Sequence, residues 1–303
     1  MKPLSRKDYP LLKSFFEHQP HRLSAYSLPS LIAWSSDYYE SYYEIIHGEV
    51  IIVSKNSEDN EDKGYLILPV GGDALPTPLV LKELATTMGC NRICFVPGDY
   101  LQQLGDSAFD PYFNITEQKE YEDYLYRTRD LAELKGNRYV RKRNLIHQFT
   151  RVYIHDNRVV TGLITEKDVS ECLDFLEKWC DLQECDQEQE KNLLCEKSAV
   201  IEALHTIEEM DWRGLYVRID GQISGFAIMS HLTQDMGALN FEKAYSHIKG
   251  LYQFLDNQCA RELFHGYMSM NKESDMGLVD LARSKKSYHP IEKLKSYCLT
   301  IKS

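Results

Sequence analysis

Residues able to do chemistry concentrate near the end of this chain. Asn271-Lys-Glu-Ser-Asp-Met-Gly277 is followed closely by Lys285-Lys-Ser-Tyr-His-Pro290. Upstream stand Glu242-Lys243-Ala244 and Lys249-Gly250-Leu251-Tyr252. Carboxylates such as Glu242 and Glu273 suit the uptake of a proton from an ammonium and the holding of an amine by charge. A lysine such as Lys285 near a reacting carbonyl stabilises a developing oxyanion or orients a ligand carboxylate. The same residues have structural readings. Asp275 is placed to cap a helix starting at Met276, and Tyr288-His289-Pro290 to end a helix before a final strand. A second concentration is basic: Lys135, Arg138, Arg141, Lys142 and Arg143 fall within nine residues. Helical steps back from Phe149 and Leu145 put Lys142 and Arg138 on one stripe. A cation on a core-facing stripe needs a partner, either a carboxylate of the protein or an anionic group of a ligand.

The elements that would position these groups occur in the same order twice. Tyr42–His47, a His47-Gly48 turn and Glu49–Ser54 read as a hairpin. An acidic loop (Asn56–Lys63), a strand (Gly64–Pro69), Gly71-Gly72, a helix (Pro78–Met88) and a strand (Arg92–Val96) follow. In the second half, Leu215–Ile219 and Ile223–His231 flank Asp220-Gly221, a strong hairpin signal. Ala238–Ala244 is the third strand and Gly250–Phe264 a helix, with Leu251, Phe254, Leu255, Cys259 and Leu263 at helical spacing. Gly266–Met270 is the fourth strand and Met276–Ser287 a further helix. Between the halves lie helices at 130–134, 138–149 and 169–180, and a long one from Asp186 to Met210 with acidic first turns. The fold expected is α+β, a tandem of two like domains, 1–155 and 156–303, packed as one unit. In this reading the first half is structural, and the second carries the site between its third and fourth strands.

Composition narrows the classes. The chain has 303 residues, 43% hydrophobic and 27% charged, as in ordinary globular proteins. Net charge of −11 argues against broad, non-specific nucleic-acid binding. Apolar runs are too short to cross a bilayer, and the N-terminus has no apolar signal core, so the expected location is cytoplasmic. Eight cysteines agree with reduced, mostly buried thiols. Cys90/Cys94 and Cys180/Cys185 have neither CxxC spacing nor a histidine at zinc-ligand spacing, so no metal is expected. P-loop, GxGxxG, GxSxG and HExxH motifs are absent.

The C-terminal segments, with Lys-x-Ser-Tyr-His-Pro from Lys285 and the basic run ending in Lys142-Arg143-Asn144, resemble the family named for the C-terminal domain of phosphatidylglycerol lysyltransferases. That family is a branch of the GNAT acyltransferase superfamily. The pattern usually has Arg where Lys272 stands and a basic residue at Arg283. The resemblance implies tandem GNAT-like domains and transfer of an acyl or aminoacyl group to an amine or hydroxyl, without a covalent enzyme intermediate. It implies a donor that is not tightly bound, either aminoacyl-tRNA or acyl-CoA. In such domains the third strand feeds a helix N-terminus that holds the donor, here around Lys249 and Gly250. The loop lacks the glycine-dense motif of acetyl-CoA users, which favours the aminoacyl-tRNA donor. The chain has no membrane-embedded region of the kind found in the lysyltransferases, which argues against a phospholipid acceptor. The expected catalytic residues are Glu242, Glu273, Lys285 and Tyr288, since tyrosine is a frequent general acid in GNAT enzymes. Arg138, Lys142, Arg143, Lys249, Gly250, Asn271 and Asp275 would bind the donor or ligand. A coenzyme A-dependent N-acetyltransferase and a non-catalytic binding protein on the same fold are the alternatives.

Overall fold

The computed structural model describes residues 1–35, 39–56, 64–72, 74–182 and 187–302, and the side chains of all of these but 187–193. The acidic loop 57–63, Cys185 and the side chains at the acidic start of the long helix lie outside the described residues. In chain order the strands are β1 (Lys2–Pro3), β2 (Tyr39–Ile46), β3 (Glu49–Asn56), β4 (Tyr65–Leu66), β5 (Arg92–Pro97), β6 (Phe113–Glu117) and β7 (Asp123–Arg127). Then come β8 (Val159–Leu163), β9 (Arg213–Ile219), β10 (Gln222–Thr233), β11 (Met236–Ala244), β12 (Ser269–Asn271), β13 (Glu292–Leu294) and β14 (Ser296–Ile301). The helices are α1 (Tyr9–Phe16), α2 (Leu28–Ala33), α3 (Pro78–Thr87), α4 (Gly98–Leu104), α5 (Thr128–Glu133), α6 (Val140–Phe149), α7 (Val169–Asp181), α8 (Gln187–His205), α9 (Leu251–Gln258) and α10 (Val279–Lys286).

Both hairpins form where the turn chemistry demands them. His47 and Gly48 adopt φ of 51° and 84°, and Asp220 and Gly221 adopt 52° and 81°. Two successive positive φ values match the twist of the flanking strands. Helix α3 starts at Pro78 behind Thr77, whose hydroxyl accepts from the Val80 N–H. Helix α7 buries Cys172, Phe175 and Leu176 on one stripe, and α8 buries Ala199, Val200, Ala203 and Leu204.

The strands form two seven-stranded sheets, ordered β1-β2-β3-β4-β5-β14-β6 and β13-β7-β12-β11-β10-β9-β8. Each repeats antiparallel hairpin, third strand, helix and a fourth strand parallel to the third. This is a tandem of GNAT-like α+β domains. The sheets exchange strands across residue 155: β14, from the end of the chain, lies between β5 and β6, while β7 lies between β12 and β13. One apolar cluster runs from Leu12, Tyr26 and Val50 to Phe175, Leu204 and Phe226, joining the halves. A second, on the far face of the second sheet, gathers Tyr126, Phe149, Leu251 and Leu255.

Several elements differ from expectation. Strand Gly64–Pro69 shortens to β4, although Val70 still bridges to Val50. The helix expected from Met276 begins at Val279, because Met276 and Gly277 take φ of 51° and 74°. The helix expected over 250–264 is α9, continued by a π-helical turn at Cys259–Leu263. Among the described residues no helix is long and apolar enough to cross a membrane.

Candidate functional site

In the second sheet β11 and β12 run parallel and pair at Met236–Ser269, Gly237–Met270 and Ala238–Asn271. Beyond Ala238 they part, and β11 continues to Ala244 paired with β10 alone. The fork between them is lined by polar side chains on both faces.

On the face toward α9 and α6, Lys272 is buried, with Nζ 2.7 Å from Asp256 Oδ1 and 3.4 Å from Glu242 Oε2. Burial opposes its charge, but Asp256 and then Glu242 hold its pKa above the ordinary value. Burial pushes Glu242 up to about 7 against the pull of Lys272, although 18% of its side-chain surface stays open to solvent. Lys142 reaches in from α6. Its Nζ donates to Ser287 Oγ at 2.6 Å and sits 3.5 Å from the Tyr288 ring centroid. Burial lowers Lys142 to about 8, with Asp256 opposing. Among the described residues no carboxylate lies within salt-bridge distance of it. Lys272 Nζ is 5.0 Å from the same ring. Burial, then Asp256 and Glu242, raise the Tyr288 phenol well above its ordinary value.

On the other face, Asn240 is the extra residue of a bulge in β11. Its side chain accepts from Ser230 Oγ at 2.7 Å and donates to Glu273 Oε1 at 2.9 Å across the fork. Ser230 meets Ser27, the cap of α2, so the first half reaches the fork through hydroxyls. Asn271 donates to Asp123 Oδ2 and to the Arg22 carbonyl, and accepts from the Glu273 N–H. Asp123 also accepts from the Ser24 N–H at 2.6 Å. Burial, then Asp123, pushes Glu273 up to about 8. Lys285 Nζ donates to the carbonyls of Lys272, Glu273 and Ser274 at 2.6, 3.2 and 2.5 Å. Burial lowers Lys285 toward about 8, but three acceptors match the three hydrogens of an ammonium.

The residues singled out in the sequence therefore divide. Glu242, Tyr288 and Lys142 meet around Lys272 and Asp256. Glu273, Asn271 and Lys285 meet in the loop after β12. Asp275 does not cap α10. It accepts from Tyr124 Oη at 2.5 Å and from the Gly277 N–H at 3.0 Å, closing a turn. Arg138 points away to pair with Asp130 at 2.7 Å. Arg143 ties the carbonyls of Leu134 and Gly136. Lys249 is exposed in the loop before α9. Gly250, at φ 87°, lets α6 approach, since a Cβ there would lie 2.3 Å from the Leu145 carbonyl oxygen.

Asp256, Asn240, Asp123 and Tyr124 escaped the sequence reading. Asp256 carried a signal, a carboxylate on the apolar stripe of α9 between Tyr252 and Cys259. Asn240 and Asp123 carried none, because a bulge and a strand exchange place them. Two sizeable clefts lie elsewhere, one of about 330 Å³ between α1 and the start of β9, the other of about 570 Å³ beside α5 and residues 260–269.

Known structures resemble this one to different degrees. A conserved protein of unknown function from Bacteroides thetaiotaomicron is 26% identical, with TM-score 0.88 over 99% of both chains. The C-terminal domain of an assigned lysylphosphatidylglycerol synthetase from Agrobacterium fabrum is 14% identical, with TM-score 0.63 over 98% of this chain and 92% of that one. A tandem GNAT protein from the clavulanic acid biosynthesis pathway is 8% identical, with TM-score 0.48 over 99% of this chain and 97% of that one. No curated protein matches the sequence. The model of the family "Phosphatidylglycerol lysyltransferase, C-terminal" matches residues 20–300, and the chain belongs to that family.

Proposed function

We propose that the chain is an acyl- or aminoacyltransferase whose fork between β11 and β12 holds the activated carbonyl. The observation that carries this reading is Lys142, a buried cation with a hydroxyl and an aromatic ring for neighbours, set beside the Glu242–Lys272–Asp256 cluster. Isolated buried charge is costly, and an anionic or carbonyl oxygen of a ligand would offset that cost. Glu242, raised to about 7, suits the uptake of a proton from the acceptor's ammonium or hydroxyl, which frees the lone pair that attacks. In the reaction the acceptor nitrogen or oxygen attacks the donor carbonyl. The new C–N or C–O bond forms as the acceptor's proton passes to Glu242, and the donor's ester or thioester bond breaks as Glu242 returns that proton to the leaving oxygen or sulfur. Lys142 would stabilise the oxyanion, with Tyr288 fixing its direction. Lys285, Asn271 and Glu273 would hold the loop that carries Lys272. Family membership supports an aminoacyl-tRNA donor, and the exposed Lys249 beside the start of α9 suits its phosphates.

The test is incubation with isotope-labelled aminoacyl-tRNA, with acetyl-CoA and with cell extract, followed by mass spectrometry for labelled products. Multiple turnovers with charged tRNA are expected, and Lys142→Met should abolish them. Turnover with acetyl-CoA alone would move the assignment to an N-acetyltransferase. Binding without turnover from any donor would leave a ligand-binding protein on this fold. The expected division of labour, with a structural half over 1–155 and a catalytic half over 156–303, is part of the same proposal, amended by Lys142, which α6 of the first half contributes to the fork, and by the exchange of β7 and β14.

A further inference from the structure

Far from the fork, β5 and β14 pair antiparallel at Arg92–Thr300 and Ile93–Leu299, then at Val96–Tyr297. One extra residue on β5, Phe95 at φ 54°, accounts for the shift in register. Cys94 and Phe95 thus face the single residue Cys298 across this bulge. Their sulfurs are 2.9 Å apart. Ile93, Val96 and Leu299 face the core, so the two thiols lie on the other face of the sheet. Cys94 is buried and Cys298 half-buried. Directly opposed residues in an antiparallel pair have Cα atoms about 4.5–5.5 Å apart. A disulfide spans about 4.4–6.8 Å, a separation of the same order, and the sulfurs already lie in contact.

We infer that Cys94 and Cys298 form a redox-modification site, a dithiol that a low-molecular-weight disulfide such as oxidised glutathione converts to an intramolecular disulfide. The half-buried Cys298 thiolate attacks one sulfur of the oxidant, and a glutathione thiolate leaves. Cys94, losing its proton to solvent, then attacks the Cys298 sulfur and expels the second glutathione. Protein dithiol and one glutathione disulfide become protein disulfide and two glutathione thiols. The Cys298 thiol is held below its ordinary value by its hydrogen bond with Cys94, against burial and with help from Arg92, which favours the attacking thiolate. The bond would close a loop of roughly two-thirds of the chain, the long-loop case in which a crosslink most restricts the unfolded state. It would pin the last strand, and with it the return of the chain from the second sheet into the first.

The full-length protein is equilibrated without oxygen in buffers of set reduced-to-oxidised glutathione ratio, quenched in acid, denatured, alkylated with N-ethylmaleimide and digested. The expected product is a peptide joining residues 94 and 298, two hydrogens lighter than the dithiol pair. Its yield should rise with the oxidised fraction, with a melting temperature several degrees higher that dithiothreitol reverses. Cys94→Ser should instead trap a glutathione adduct on Cys298. Alkylation of both Cys94 and Cys298 in the wild-type chain after full equilibration overturns the inference. So does a wild-type glutathione adduct on Cys298 that never resolves.

Discussion

The two sheets open the same fork and fill it differently. In the first, β4 and β5 run parallel, pair at Leu66–Ile93 and part. Tyr26 plugs the gap. Its hydroxyl accepts from the Leu68 N–H at 3.2 Å and donates to the Phe95 carbonyl at 3.1 Å. The ring is 1% exposed. In the second sheet the corresponding gap holds Lys272, Glu242 and Asp256 on one face and an Asn240–Glu273 bridge on the other. One neutral phenol satisfies the loose strand ends in the first fork, whereas the second buries charge to do so. An apolar filling of similar volume is commonly as stable as a buried ion cluster. Under the proposed function the charge in the second fork is kept for chemistry beyond the needs of folding, and the first fork is the same architecture with its opening closed.

The largest expected effect comes from converting the second fork into the character of the first. A triple variant, Glu242→Leu, Asp256→Leu and Lys272→Met, should lose all transfer activity while its stability in urea stays level or rises by about 1–4 kcal/mol. A large loss of stability would show that the charges hold the fold. Asp256→Ala alone should destabilise by about 3–5 kcal/mol, because it strands the buried Lys272 ammonium. Lys285→Ala should cost about 3 kcal/mol by urea denaturation, since three carbonyls lose their donor. Unchanged stability there, with ligand affinity lost, would restore Lys285 to direct catalysis. Tyr26→Phe should cost about 2 kcal/mol through the Leu68 N–H and Phe95 carbonyl left unpaired, with transfer rates unchanged. The smallest effect is a pH dependence. Glu242 is raised from its ordinary 4.5 to about 7. The folded chain therefore holds this proton more firmly than the unfolded one between those values. Its contribution to stability is complete below about 4.5 and is lost as pH rises through 7. Urea titrations of wild type and Glu242→Gln from pH 4.5 to 7 should show the wild type falling relative to the variant by about 1–2 kcal/mol, the full shift being reduced by the solvent that reaches the carboxylate.

Much of the fold was legible because local chemistry wrote it. His47-Gly48 and Asp220-Gly221 demand their hairpins wherever the strands go, and the apolar spacing from Leu251 to Leu263 demands a helix. The stripe through Lys142 was legible for the same reason, since a cation in register with Leu145 and Phe149 must be buried. Arg138 shares that stripe in sequence but not in burial. It lies at the 3₁₀ turn before α6, where the chain has not yet reached the core. Gly71-Gly72 lies between the third strand and the helix of the first half. A Cβ at Gly72 would meet only the flexible Glu49 side chain, whereas Gly71 is held at φ 101° against Phe15.

By itself, then, the sequence determined the repeated element order and singled out several of the residues that the fork brings together. Those properties follow from periodicity, turn residues and the cost of burying charge, all local or nearly so. Only the tertiary structure decided that β7 and β14 change sheets, that Asp256 neutralises Lys272, that Lys285 spends its hydrogens on three carbonyls, and that Cys94 faces Cys298. Asp123 and Asn271 are separated by 148 residues, and Cys94 and Cys298 by 204. No short-range pattern encodes such pairs, because they exist only once strands distant in the chain have found their register.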